Sequence, residues 1–257
     1  MTPLPDNLGI WLINLPADVD RRTKMEIQLA SIGIEATVFE AINGAERLHE
    51  LSTNVAEQAY LRNTGQLIVP GHMGVYASHK AVWDLFLKSG KDFALILEDD
   101  VVFHNDFIQA VETGLLCHKS WDLLRFCAIR AKFPIPQKRV GRYTLNAYIG
   151  PFTGNAAYLI NRNTAEKFCA KIWPQTRPLD HEMNRFEKYG YRAIGLEPFS
   201  SHPDDGGVST ITGVKFDNIV KLPWFKRLPY FQLKAKNYLI RAIWLYRAGL
   251  LPISKRN

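Results

Sequence analysis

Phe93-Ala94-Leu95-Ile96-Leu97 is an apolar run that enters Glu98-Asp99-Asp100 with no turn residue between them. A short unbroken apolar run reads as a buried strand. Three adjoining carboxylates repel one another and resist loss of water, so beside such a strand they need a compensating cation. In an open α/β sheet the carboxyl ends of the strands are where ligands bind. Oxygen ligands there suit Mg²⁺ or Mn²⁺, and such an ion can hold a diphosphate. The competing reading is a strand that ends in a solvated acidic turn.

The rest of the chain supplies a sheet for this strand to join. Residues 9–15 read as a first buried strand. A helix should follow from Asp18, an acceptable N-cap, with Met25, Leu29 and Ile32 at helical spacing and Gly33 as its stop. Residues 34–42 read as a second strand. Within residues 71–87, Val75, His79, Val82 and Phe86 fall on one face of a helix. Further helices are expected over 107–116, 164–172 and 178–189, and further strands over 121–128 and 154–160. Residues 130–142, with two prolines and five basic residues, read as a loop. Strands alternating with helices predict an α/β fold with a mostly parallel sheet.

At 257 residues the chain accommodates one large domain, or a domain with an appendage. Cys117, Cys127 and Cys169 lack metal-type spacing, and their odd number fits a reducing compartment better than a disulfide framework. The first residues show no basic region followed by a long apolar one, so no signal peptide is expected. No apolar run of membrane-spanning length occurs either. Of the 32 Lys and Arg, nine lie in residues 218–257, which contain no Asp or Glu. Residues 1–217 keep 23 basic against 25 acidic residues, a net charge of −2. The basic character therefore belongs to a tail, which also carries Trp224, Phe225, Tyr230, Phe231, Tyr238, Trp244 and Tyr246. A helix over 236–250 would be too short to span a bilayer, but cations mixed with Trp, Tyr and Leu suit an anionic membrane surface. The alternatives are a helix packed on the body with a solvated basic edge, or a single-strand nucleic-acid binder. The near-neutral body argues against nucleic acid, and the expected division is 1–217 for the main domain and 218–257 for the membrane-surface tail.

Five segments together resemble glycosyltransferase family 25, the lipopolysaccharide and lipooligosaccharide glycosyltransferases. Ile10-Trp11-Leu12-Ile13-Asn14-Leu15 with Asp20-Arg21-Arg22 is similar to that family's opening "INL…DRR". Gly74-Val75-Tyr76-Ala77-Ser78-His79-Lys80-Ala81-Val82-Trp83 is similar to its "GC…SH…W" helix, and Leu97-Glu98-Asp99-Asp100 to its "LEDD". Gly154-Asn155-Ala156-Ala157-Tyr158-Leu159-Ile160 resembles its "G..GYLI" strand, and Leu179-Asp180-His181-Glu182 its "(P)(V/I)D" segment. Each motif is short; their order and spacing carry the resemblance, which covers roughly residues 9–200. Val75 stands where Cys is usual and Ala157 where Gly is common, which leaves the subfamily and its sugar open.

The resemblance implies a GT-A-like, Rossmann-type fold, a nucleotide-diphosphate sugar donor, a divalent metal and inverting transfer. Asp100 is expected to bind the metal. Glu98 or Asp99 would take the second position, toward the donor ribose or a metal-bound water. Asn14, Arg21 and Arg22 lie just past the first strand, where the donor nucleotide sits in this architecture and where Arg and a helix N-terminus favour phosphate. At least one of the two arginines also reads as a plain surface residue. His79 is a donor contact or a hydrogen-bonded core histidine, and Ser78 beside it is equally ambiguous. Asp180 is the candidate base for the acceptor hydroxyl, though it would also serve as a helix N-cap, and His181 and Glu182 are weaker alternatives. His202 is a candidate third metal ligand or a solvated loop histidine.

The expected function is transfer of galactose from UDP-galactose onto a lipid-linked saccharide of lipopolysaccharide or a related surface glycan. Mn²⁺ or Mg²⁺ is the expected cofactor. The expected place is the cytoplasm, peripheral on the inner face of the cytoplasmic membrane, with no nucleic-acid partner. The rival reading is a catalytically inactive scaffold or sugar-binding module in a glycan assembly complex.

Overall fold

In the computed structural model, which describes residues 4–204 and 228–251, the chain opens as β1 (Leu8–Asn14), α1 (Val19–Ser31) and β2 (Thr37–Glu40). α1 forms where the helical spacing predicts it, with Met25 and Leu29 buried and Gly33 beyond its end at φ 68°. Asp18 occupies the cap position, but its side chain makes no capping hydrogen bond. Two short helices, α2 (Leu48–Ser52) and α3 (Glu57–Thr64), precede α4 (Pro70–Lys88). α4 buries Tyr76, His79, Val82, Trp83 and Phe86, whereas Val75 is half-buried. Gly74 lets this helix approach the chain that follows β2: a Cβ there would fall 2.4 Å from the Ile42 carbonyl oxygen.

β3 (Phe93–Glu98) and the short β4 (Val101–Phe103) flank the acidic turn, and α5 (Phe107–Leu116) and β5 (Leu123–Arg125) follow. The segment expected as a loop over 130–142 is instead β6 (Arg130–Ala131) and β7 (Pro134–Val140), and β7 forms a hairpin with β8 (Tyr143–Tyr148). β7 is the outermost strand of the sheet, so Pro134 and Pro136 have an open side on which no backbone donor is needed. Next come β9 (Phe152–Thr153), β10 (Ala157–Asn161) and α6 (Arg162–Lys171), which Asn161 caps by accepting the Thr164 N–H. The single helix expected over 178–189 is two, α7 (Leu179–Met183) and α8 (Phe186–Tyr189). They break at Asn184, whose buried side chain turns to accept the Phe152 N–H. β11 (Ala193–Glu197), β12 (Ser201–Pro203) and α9 (Leu228–Arg247) complete the described chain.

One eight-stranded sheet runs in the order β2-β1-β3-β10-β5-β11-β8-β7. Six of its strands point one way, and β10 and β8 run against them. This is the mixed α/β architecture, with a large and mostly parallel central sheet, that the alternation of strands and helices predicts. Because β1, β3 and β5 are co-directional, their carboxyl ends share one rim, and the polar residues that follow them gather there.

Much of the expected tail, residues 218–227 and 252–257, lies outside the described residues. α9 is longer than the helix expected over 236–250: 20 residues, about 30 Å at 1.5 Å per residue. It packs on the body through buried Leu245, and beyond it the carbonyl of buried Leu250 accepts from Gln137 Nε2 at 2.7 Å. Among the described residues no helix is long and apolar enough to cross a membrane.

Candidate active site

The tips of β1 and β3 lie side by side and parallel, with Ile13 opposite Glu98. This register brings Asn14 to the acidic turn. Its Nδ2 donates to Asp99 Oδ2 at 2.8 Å and to the Asp18 carbonyl at 3.1 Å. Arg21, in the first turn of α1, reaches the other oxygen, Asp99 Oδ1, at 3.2 Å. Asp99 thus ties β3 to β1 and α1 with both of its oxygens. Burial raises its pKa, against the hydrogen bond from Asn14 and the charge of Arg21.

Glu98 is held from the opposite side by a chain of hydrogen bonds that starts in the core. Trp83 Nε1 lies 2.9 Å from Tyr158 Oη, Tyr158 Oη 2.9 Å from His79 Nδ1, and His79 Nε2 3.0 Å from Glu98 Oε1. An indole N–H only donates, so one polarity satisfies every member: Trp83 donates to Tyr158, Tyr158 to His79 Nδ1, and His79 Nε2–H to Glu98. His79 is therefore a hydrogen-bonded core histidine, and it also touches Glu98 at the acidic turn.

Asp100 has no such support. Among the described residues its buried Oδ1 has no hydrogen-bond partner, and its pKa is pushed up to about 7 by burial first and then by the charges of Glu98 and Asp99. Glu98 Oε2 also lacks a hydrogen bond among the described residues. Two carboxylate oxygens at one strand tip, one of them buried and orphaned, are a donor set that fits a hard divalent cation. Asp99 has each of its oxygens in a hydrogen bond, to Asn14 and to Arg21. Among the described residues no group of three His, Cys, Asp or Glu side chains gathers as a metal cage. His202, the candidate third ligand, is exposed on β12, with its Nδ1 2.9 Å from His104 Nε2. The next residue but one, Asp204, returns to the site through its backbone, donating to the Asp100 carbonyl at 2.6 Å.

The other candidates separate cleanly. Arg22 pairs with Glu26 at 2.8 Å on the outer face of α1, so it is the surface member of the arginine pair. Ser78 is buried between backbone groups, donating to the Gly74 carbonyl at 2.7 Å and accepting the Ile42 N–H at 2.8 Å. It helps fix the close approach at Gly74. Asp180 lies in the first turn of α7, half-buried, with Oδ1 accepting the His181 N–H at 2.8 Å. No hydrogen bond or ion pair links it to the Glu98–Asp100 turn among the described residues, although its charge is felt by His72 near the start of α4 and by Arg125 on β5. Glu182 is buried in an ion network with Arg177 and Lys188, and His181 is exposed.

Arg125 is a member of this region that sequence reasoning passed over. It is fully buried, donates from Nη1 to the Phe152 carbonyl and from Nη2 to Asn155 Oδ1, and stacks on Phe152 with 4.6 Å between guanidinium carbon and ring centroid. Burial lowers its pKa. A lone arginine among the apolar residues 123–128 was the signal available for it. Tyr158 likewise stands in the quoted "GNAAYLI" segment, but nothing in its spacing ties it to a helix 79 residues away.

The chain matches the family model described as "Glycosyltransferase family 25 (LPS biosynthesis protein)" over residues 7–183. It belongs to glycosyltransferase family 25. Among its relatives, procollagen galactosyltransferase 1-B of Xenopus laevis is 24% identical, in a match covering 85% of this chain and 41% of the relative. Procollagen galactosyltransferase 2 of Homo sapiens is also 24% identical, covering 77% of this chain and 35% of its own length. The "Probable inactive glycosyltransferase 25 family member 3" of Rattus norvegicus is 27% identical over 47% of this chain and 23% of its own. The chain spans less than half the length of each of these relatives.

Proposed function

We propose that the protein is a metal-dependent, inverting glycosyltransferase that moves galactose from UDP-galactose onto a lipid-linked saccharide of lipopolysaccharide or a related surface glycan. The observation that carries this reading is the buried, unpartnered Asp100 Oδ1 beside Glu98 at the carboxyl end of β3. The family description supports the acceptor, and the names of the relatives support the sugar. The sheet order, in which antiparallel β10 separates two sets of co-directional strands, is compatible with a GT-A-like fold.

Glu98 and Asp100 would hold Mn²⁺ or Mg²⁺, which when bound offsets the charge that grows on the diphosphate leaving group. His79 fixes the orientation of Glu98, while Asn14 and Arg21 keep Asp99 turned toward α1. Arg21 adds a cation at a helix N-terminus, where phosphate oxygens are favoured. Asp180 takes the proton from the acceptor hydroxyl as that oxygen attacks opposite the departing diphosphate, so the anomeric configuration inverts.

The outward side of α9 supports a peripheral position on the inner face of the cytoplasmic membrane. Leu239, Ile243 and Tyr246, 63%, 44% and 52% exposed, recur at helical spacing there, in line with Lys236 and Arg247. Apolar side chains enter the headgroup region and cations meet anionic lipid. The double substitution L239E/I243E is expected to weaken binding to phosphatidylglycerol vesicles at least tenfold in a sedimentation assay. Unchanged binding would remove the membrane role.

The name of the rat relative favours a second reading, a non-catalytic module that keeps the fold. A panel of UDP-sugars, with and without Mn²⁺, separates the two when offered saccharide acceptors and a collagen-derived peptide. UDP-galactose is expected to be consumed only with metal, and faster with a saccharide acceptor. If no donor is consumed and none raises the melting temperature, the non-catalytic reading replaces the enzymatic one.

A further inference from the structure

α9 does not close fully on the body. Between them lies a recess of about 90 Å³, to which β6 contributes Arg130 and the turn after it Lys132. Its cationic lining comes from Arg130, Lys132, Arg177, Lys234 and Arg241, with His181 beside them, and among the described residues no carboxylate lines it. A concave surface of one charge sign focuses the field on whatever enters.

The decisive residue is Arg241. It is 8% exposed, lines the recess, and makes no hydrogen bond or ion pair among the described residues. Among the described residues it meets the Tyr238 ring, 6.0 Å from the guanidinium carbon. Burying a guanidinium unpaired costs several kcal/mol, so folded proteins pair such groups or give them an anion. Burial holds its pKa below the ordinary arginine value, against the charge of Glu187, and Arg177 pushes it the same way as burial. Glu187 is itself 3.5 Å from Arg185. Arg130, Lys132 and Lys234 are exposed and likewise have no ion pair among the described residues.

We propose that this recess binds a phosphate group carried by the acceptor saccharide. Its volume admits one such group and little more. Several cations around one small space match a dianion better than a single carboxylate, and guanidinium groups bind phosphate oxygens in pairs. Asn63 and Asn237 can bond sugar hydroxyls, and the Tyr238 ring gives a face for a sugar ring to lie on. His181 belongs to this lining and follows Asp180 directly, so the bound phosphate would anchor the acceptor beside the proposed base. A membrane surface fits the recess less well, because the lipid-suited side chains of α9 point outward and Arg241 points in. Only the identity of the molecule that carries the phosphate rests on the glycosyltransferase reading.

The test is calorimetric titration of the full-length protein with inorganic phosphate, glucose 6-phosphate and glucose. It compares R130Q/K234Q, which alters two exposed side chains, R241Q, and the charge-matched control K138Q/R139Q on β7. Both phosphates are expected to bind the parent and the control alike, and at least tenfold more weakly to R130Q/K234Q and R241Q. Glucose 6-phosphate should bind more tightly than phosphate, and glucose more weakly than either. Equal phosphate affinity in R130Q/K234Q and the control overturns the proposal, as does the absence of any phosphate binding. Phosphatidylglycerol vesicles test the other source of the same group. Loss of vesicle binding in R130Q/K234Q, with glucose 6-phosphate no tighter than inorganic phosphate, assigns the recess to lipid headgroups and overturns the saccharide assignment. These readouts are equilibria and need no turnover, so failure of the recess leaves the donor assay intact, and the reverse holds too.

Discussion

Asp100→Asn is expected to fold at least as well as the parent and to transfer sugar about a thousandfold more slowly. The two halves of this result have one cause. In the parent, Asp100 Oδ1 is buried with no partner and its carboxylate faces the charges of Glu98 and Asp99. The use proposed for such a group is to hold a divalent cation, and losing several kcal/mol of transition-state stabilisation corresponds to about three powers of ten in rate. The same isolation makes the group a burden when no cation is bound. Its pKa in the folded protein, about 7, lies above the ordinary aspartate value, so the folded state holds the proton that the unfolded state releases. The metal-free parent therefore loses stability as pH rises from about 4 to about 7 and levels off above that. The loss is on the order of a few kcal/mol at most. Asparagine cannot titrate, so this contribution to the slope vanishes in the variant, and its melting temperature in chelator at pH 8 should exceed that of the parent. Steady-state kinetics with Mn²⁺ and a pH series of melting curves in chelator read the two halves separately. A variant that keeps its activity removes the metal role, and one that unfolds shows that Asp100 serves the fold instead.

The distinction between Asp99 and Asp100 shows where sequence stops informing. The apolar run, the helix periodicities and the alternation of strand and helix made the sheet legible, because they follow from local spacing. The presence of a carboxylate site at the end of β3 was legible for the same reason. Which carboxylate does what was not, because it depends on side chains far away in the chain. Asn14 and Arg21 each bond one oxygen of Asp99, His79 takes one oxygen of Glu98, and among the described residues nothing takes Asp100 Oδ1. The hairpin of β7 and β8 was hidden by the opposite effect. Its prolines signal a loop locally, and only the position of β7 at the sheet edge makes them harmless. Arg125 and Arg241 were visible as letters, but their burial without a carboxylate follows from the packing of β5 and α9. The helix expected over 178–189 failed at Asn184 for a similar reason, since the group that claims its side chain belongs to β9.

Glu182→Gln should show the reverse of the Asp100 result: a large loss of stability, with loss of activity only as far as the protein unfolds. Glu182 was an alternative to Asp180 as the base, and its surroundings rule out a free carboxylate. It is 1% exposed, and its Oε1 accepts from Tyr189 Oη at 2.7 Å and from Lys188 Nζ at 2.5 Å. Arg177 Nε lies 3.1 Å from Oε2, off the hydrogen-bonding direction, so that contact is an ion pair without a formal hydrogen bond. The carboxylate is thus the centre of a buried cluster that holds α7, α8 and the segment before them together. Neutralising it leaves Arg177 buried without its counter-charge, and breaking one side of such a pair costs about 3–5 kcal/mol. The upper part of that range applies to Glu182→Ala, which also removes the acceptor for Tyr189. For a chain with ordinary marginal stability this is a large fraction of the total. Urea titration should show the midpoint fall by the corresponding amount. At a urea-free temperature well below the new midpoint, kcat should stay within a few fold of the parent. A Glu182→Gln protein that is as stable as the parent but inactive would transfer the role of base from Asp180 to Glu182. Asp180→Asn is the paired measurement: it lies half-buried with one hydrogen bond to its neighbour, so its loss should leave the urea midpoint nearly unchanged while transfer falls by at least a hundredfold.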